Sequence, residues 1–171
     1  MAYSVYDSAI AVTQSLLRTL SHILHTAEQS PNASTILESR LIEDMYPVPD
    51  QVRLATQYSE FLVARLMGRE PVTFSGNPTT FAECYQRIDT VLQSLSEADR
   101  DVVTQHGDAV APTNLGPQGT VEMSGAAYAH TVVLPNIYFH LNTAYGILRK
   151  AGIPLGKKDY YVGFFPSLNN Q

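Results

Sequence analysis

The chain has 171 residues, of which 44 % are hydrophobic and 16 % charged, and a formal net charge of −5. That length and apolar content suit one domain with a real core and exclude a disordered chain. Eleven Lys and Arg scattered among sixteen Asp and Glu argue against a nucleic-acid partner, because neutralising phosphates takes clustered cations.

Cys84 is the one cysteine, so no internal disulfide is expected. The opening Met1-Ala2-Tyr3-Ser4-Val5-Tyr6-Asp7 has no basic region followed by an apolar one. No apolar run reaches the ~18 residues of a membrane span. The expectation is a cytoplasmic protein with no membrane partner.

The predicted elements begin with a helix from about Ser4 to Glu28. Its Val5, Ala9, Val12, Leu16, Leu20 and Ile23 fall three and four apart and form one apolar stripe. Ser30-Pro31-Asn32 breaks it. Thr35-Ile36-Leu37-Glu38 reads as a capping box opening a short helix that ends by Tyr46-Pro47-Val48-Pro49. A second long helix is expected from about Asp50 to Met67, with Val52, Ala55, Tyr58, Leu62 and Leu66 as its stripe and Gly68 as its stop. Residues 69–78 read as a loop, closed by a second capping box, Thr80-Phe81-Ala82-Glu83. The third long helix carries Phe81, Cys84, Ile88, Val91 and Leu95 on a coiled-coil-like seam, which makes Cys84 a packing residue rather than a nucleophile. Ser96-Glu97-Ala98-Asp99 reads as the cap of one more turn.

Glycine and proline dominate residues 107–125, a long loop or a small hairpin around Val121. A fourth long helix is expected from about Gly125 to Ala151, kinked or restarted at Pro135 and ended by Gly152. Ile153 to Gln171 reads as an irregular tail whose Tyr160, Tyr161, Phe164 and Phe165 dock on the body. The pattern predicts an all-α fold in a single domain, residues 1–171. It is a four-helix bundle with a short extra helix, a loop or hairpin before the last long helix, and the tail.

Pro135 to Arg149 is apolar almost all the way round, yet it carries Asn136, His140 and Thr143. An unpaired buried polar group costs roughly 1–3 kcal/mol. These side chains therefore line a polar pocket or belong to a satisfied internal network. On the first reading His140 is a general acid or base facing a cavity. On the second it is a core histidine paired with a tyrosine hydroxyl or a backbone carbonyl. Tyr58, Tyr128, Tyr138 and Tyr145 fall at inward positions and suit either a core or a ligand pocket. Asp44 is expected to pair with Arg40 or Arg65.

The run Phe139-His140-x-x-Thr143-Ala144-Tyr145-x-Ile147-Leu148-Arg149 continues through Gly152, Gly156-Lys157 and Asp159-Tyr160. It resembles a family described only as a domain of unknown function and placed near the DinB/YfiT-like helical bundles. Arg40 to Pro47 and Leu134-Pro135-Asn136 extend the likeness. The resemblance implies a four-helix bundle, often a homodimer. In the wider superfamily it also implies a divalent metal, held by a His on the second long helix and an H-x-x-x-H pair on a later one. Such sites serve thiol transfer, isomerisation or hydrolysis. Here the pair reads Asn136-x-x-x-His140, and the second long helix has no His but Gln57, Tyr58 and Glu60. Asn is a poor ligand beside imidazole, so no metal and no cofactor is expected. Glu60 and Asp44 are the carboxylates left to join His140 if a metal binds.

The expected function is a small-molecule site with His140 and Asn136 as its catalytic pair, lined by Tyr58, Tyr128, Tyr145 and Thr143. As an enzyme it would be a metal-independent isomerase, dehydratase or cyclase. His140 would move the proton while Asn136 and a tyrosine hydroxyl hold an oxygen. Two alternatives stand beside it. One is a non-catalytic binding or dimerisation module. The other is a DinB-like metal-dependent thiol transferase or hydrolase with a degenerate metal site.

Overall fold

The structure is a computed structural model and describes residues 3–165. A π-helical turn, Tyr6–Ile10, runs directly into α1 (Ala11–Glu28). One turn of helix follows, α2 (Ala33–Ile36), and then the long α3 (Val48–Leu66) and α4 (Phe81–Ser96). Next come α5 (Arg100–Asp108) and an antiparallel hairpin of β1 (Val110–Asn114) and β2 (Thr120–Ser124), with Pro112 opposite Glu122. The last long helix is α6 (Gly125–Tyr128), a π-helical turn (Ala129–Val133) and α7 (Leu134–Lys150) in unbroken succession. A short α8 (Lys157–Tyr161) follows. This is the four-helix bundle expected, with the hairpin in place of a loop.

The helix ends follow from sequence. Gly68 has φ +65° and lets Arg69 N–H reach the Ala64 carbonyl at 3.0 Å, while its own N–H reaches Arg65. Gly152, at φ +87°, closes α7 in the same way through Ile153 and Leu148. Both are Schellman stops, and in the second the residues that meet, Ile153 and Leu148, are buried. The Thr80–Glu83 capping box forms as predicted, with Glu83 N–H to Thr80 Oγ1 at 3.2 Å and Thr80 N–H to Glu83 Oε2 at 3.1 Å.

Two local expectations are corrected and a third, at Pro135, is met. Thr35 does not cap a helix: it lies inside α2 and donates its hydroxyl to the Asn32 carbonyl, while Glu38 N–H goes to the Thr35 carbonyl. Asn32 therefore precedes the turn, and residues 37–47 have no helix. Asp99 caps nine residues rather than one turn, accepting from Asp101 and Val102 N–H. Pro135 marks the expected restart: α7 opens at Leu134 with the proline in its first turn. The wide turn before it ends with Leu134 N–H on the Ala129 carbonyl, so the ladder absorbs the missing proline donor by widening.

α3 packs chiefly on α7 and α4, and α1 on α7 and α4. α3 and α7 run antiparallel. Gln51, at the start of α3, reaches His140, whereas Leu66, at its end, lies against Gly125. The shared core takes Leu16, Leu20 and Ile23 from α1 and Val52, Leu62 and Leu66 from α3. Cys84, Ile88 and Leu95 from α4 join Ile137, Leu141 and Leu148 from α7, all fully buried. The tail docks on α1: the Thr19 hydroxyl donates to the Tyr160 carbonyl at 3.0 Å, and His22 pairs with Asp159 at 2.9 Å. Tyr160 and Phe164 pack on the core, but Tyr161 and Phe165 stay exposed. The expected tail beyond Phe165 lies outside the described residues.

Arg65 is spent on the hairpin, donating to the Ala111 and Met123 carbonyls, and Arg40 donates to the Met45 carbonyl. Asp44, exposed between them, pairs with neither. No helix among the described residues is long and apolar enough to cross a membrane.

Thr13, on the buried face of α1, carries the one fully buried side-chain polar atom among the described residues that has no hydrogen-bond partner, its Oγ1. Thr13→Val keeps the shape and removes that atom. It is expected to raise unfolding stability by about 1 kcal/mol, read as a higher urea midpoint at unchanged m value.

Candidate functional site

The site begins at the prolines before α3. Pro47 is extended and Pro49 falls in the first turn, where its missing N–H is an orphan in any helix. This start places Gln51 one turn in, on the face that meets α7, and leaves it 2 % exposed. Its amide Nε2 donates to the Tyr46 carbonyl at 2.9 Å. The same amide therefore turns Oε1 inward, 2.8 Å from His140 Nδ1. An amide oxygen only accepts, so the network assigns the proton to His140 Nδ1 and leaves Nε2 with a bare lone pair.

Two rings hold the imidazole. Tyr58 lies nearly parallel to it, tilted 17° with centroids 6.1 Å apart, and Phe139 meets it edge-on at 5.3 Å. His140 is 8 % exposed. Burial, and secondarily the Arg53 charge, lowers its pKa to about 4. The imidazole is therefore neutral near pH 7. Nε2 has no hydrogen-bond partner among the described residues. The arrangement presents a neutral, oriented proton acceptor at the edge of the bundle core.

The other polar groups of α7 are satisfied at home. Asn136, one turn before His140 on the same face, donates from Nδ2 to the Val132 carbonyl at 2.7 Å. The Thr143 hydroxyl donates to the Phe139 carbonyl at 2.7 Å. Of the expected lining residues, Tyr58 joins His140 and Asn136 lies beside it, but two tyrosines do not. Tyr145 meets Tyr160 edge-on at 6.0 Å, on the side of the tail. Tyr128 borders a different cleft of about 470 Å³ with Phe61, Arg65 and Pro112. That cleft reaches Tyr58 through Phe61, whose ring meets Tyr58 edge-on at 6.1 Å, whereas Tyr128 itself stands about 18 Å along its helix from His140, at 1.5 Å rise per residue. Gln51 was not singled out from sequence, although it stands four residues before Ala55 on the apolar stripe. A polar side chain at a core spacing was the available signal.

The donors present do not fit the divalent metal site of the wider superfamily. Gln51 turns its oxygen to the imidazole, and Asn136 is the i−4 neighbour. Glu60 is taken by Arg69 at 2.6 Å and Val72 N–H at 2.8 Å. Among the described residues no three His, Cys, Asp or Glu side chains are placed to share an ion.

No curated protein matches the sequence. Among solved structures, the chain is similar to the crystal structure of a DinB family member protein from Shewanella denitrificans at 1.83 Å resolution. The two share 29 % identity and a TM-score of 0.82, over 97 % of this chain and 94 % of that one. The domain of unknown function DUF1993 matches residues 5–161. A signature that runs from the first helix through Asp159-Tyr160, on a DinB-like bundle, makes this chain a member of the DUF1993 family.

Proposed function

We propose that the chain is a small-molecule-binding bundle with a metal-independent proton-transfer site at His140. The observation that carries this reading is the bare Nε2, created by the Gln51 contact at Nδ1. A neutral imidazole takes a proton from a ligand hydroxyl or an acidic C–H and returns it to another atom of the same ligand. That cycle is the core of isomerisation, and of dehydration or cyclisation when an oxygen leaves or attacks. Tyr58 supplies the flat wall against which such a ligand would lie. Asn136 Oδ1 and the second N–H of its amide remain to orient it.

Two measurements test the reading. Long-range proton–nitrogen NMR at pH 7 is expected to show His140 as the Nδ1–H tautomer; an Nε2–H signature overturns the proposal. A thermal-shift screen of aromatic and polyketide-like compounds is expected to find stabilisation that His140→Leu abolishes. Stabilisation that survives the substitution places the ligand elsewhere.

A self-association role is favoured by a separate observation. Ile42, Tyr46 and Phe139 are 60 %, 57 % and 56 % exposed. Residues 40–46 run along α7 from Lys150, which donates to the Leu41 carbonyl, to Gln51. Large apolar groups on one surface fit a homodimer face, and sedimentation of wild type against Phe139→Asp reads it directly.

A further inference from the structure

Arg87 is a charged side chain on the core seam of α4, between Cys84 and Val91, and it is only 8 % exposed. Its Nε donates to the Thr56 hydroxyl at 3.2 Å and its Nη1 to the Gly76 carbonyl at 3.1 Å. The guanidinium lies 4.4 Å over the Phe74 ring. None of the ion pairs among the described residues involves it. Burial, and then the neighbouring Arg53 charge, pull its pKa below the usual guanidinium value. The carboxylates at hand are committed. Glu83 accepts from Thr79 and Thr80 N–H, and Asp50 pairs with Arg53. A buried cation held only by neutral acceptors bears its desolvation cost without a compensating opposite charge.

Arg87 opens on a cleft of about 410 Å³ between the 69–80 loop and α4, lined also by Phe74, Ser75, Asn77, Gln86 and Thr90, and by Glu83, whose carboxylate is held by Thr79 and Thr80. Its Nη2 has no partner among the described residues. Because it is not among the fully buried unpaired atoms, it meets solvent. We propose that this cleft is an oxyanion site, in which the Arg87 guanidinium receives the phosphate or carboxylate group of a small ligand. The planar fork suits either group. The Ser75 hydroxyl and the Asn77 and Gln86 amides supply neutral donors around it, while the Thr90 hydroxyl donates to the Gln86 carbonyl at 2.8 Å. Phe74 offers an apolar wall for the remainder of the molecule. The site is independent of His140.

The test uses inorganic phosphate and benzoate as probes in thermal unfolding at constant ionic strength, with chloride as the control salt. A saturable Tm rise of roughly 3–5 °C is expected at tenfold Kd. A rise with phosphate assigns a phosphate ester, and a rise with benzoate alone assigns a carboxylic acid. Arg87→Gln is expected to abolish the rise. Since Arg87 also anchors the loop, Thr90→Glu provides a folded control. Thr90 is exposed and three residues after Arg87 on the same face, so a carboxylate there supplies the missing counter-charge. That variant is expected to melt higher than wild type and to lose the anion response. A probe effect no larger than that of chloride, or one unchanged in Thr90→Glu, overturns the proposal.

Discussion

Acidification from pH 7.5 to 5 is expected to cost the fold about 2 kcal/mol through His140 alone, tending to about 3 kcal/mol near pH 4. The folded pKa, about 4, lies below the 6.5 of the free side chain. Under pH 6.5 the unfolded chain therefore binds a proton that the folded chain refuses. Stability from this group is fully present above pH 6.5, falls through the window to pH 4 and is flat below it. Carboxylates whose pKa values are lowered in the fold, such as Asp7 and Asp159, lose their contribution at more acidic pH. The upper part of the window thus lies above the carboxylates, and the His140 share of it is read by difference from a variant that keeps the other four histidines. Urea unfolding of wild type and His140→Leu at pH 7.5, 6 and 5 isolates it, because the variant carries no titrating group at that position. A wild-type slope equal to the variant's contradicts a buried neutral His140 and, with it, the bare Nε2 on which the proposed chemistry depends.

The bundle was legible because its helices carry their own limits. Periodicity marked the inner faces, and Gly68, Gly152 and Thr80 marked ends that the backbone then adopted. What sequence could not carry was any feature decided by a partner far along the chain. Asn136 and Thr143 suggested a pocket, but each side chain is satisfied by a carbonyl of its own helix four residues back. The residue that orients His140 is 89 positions away. Tyr128 and Tyr145 share a helix with His140, yet the helix face and the packing of the hairpin and tail separate them from it. Arg87 and Gln51 share a lesson. Each is a polar residue at an apolar spacing whose partners lie on other elements, and neither stood among the candidate residues read from the sequence.

Arg69→Met is expected to destabilise the protein by about 3 kcal/mol, the low end for breaking a buried ion pair. Glu60 lies in the middle of α3, and its side chain is 2 % exposed. Its carboxylate accepts from both terminal nitrogens of Arg69, at 2.6 and 3.3 Å, and from Val72 N–H at 2.8 Å. Arg69 stands just past the Gly68 stop with its side chain 36 % exposed, and also donates to Ser94 on α4. The pair therefore ties α3, the following loop and α4 together. The two partners are not equivalent. Removing Glu60 leaves a guanidinium that can turn to water. Removing Arg69 leaves a carboxylate in the core with a single backbone donor. Glu60→Gln, which keeps an acceptor for Val72, is expected to cost less than Arg69→Met. The double variant Glu60→Leu/Arg69→Met is expected to recover most of the loss, because an apolar pair of similar volume removes the stranded charge. Urea midpoints of wild type, Glu60→Leu, Arg69→Met and the double variant at pH 7.5 close the cycle. If the double variant is as unstable as the sum of its parts, the cost lies in packing, and the ion pair is not what holds the α3–α4 junction.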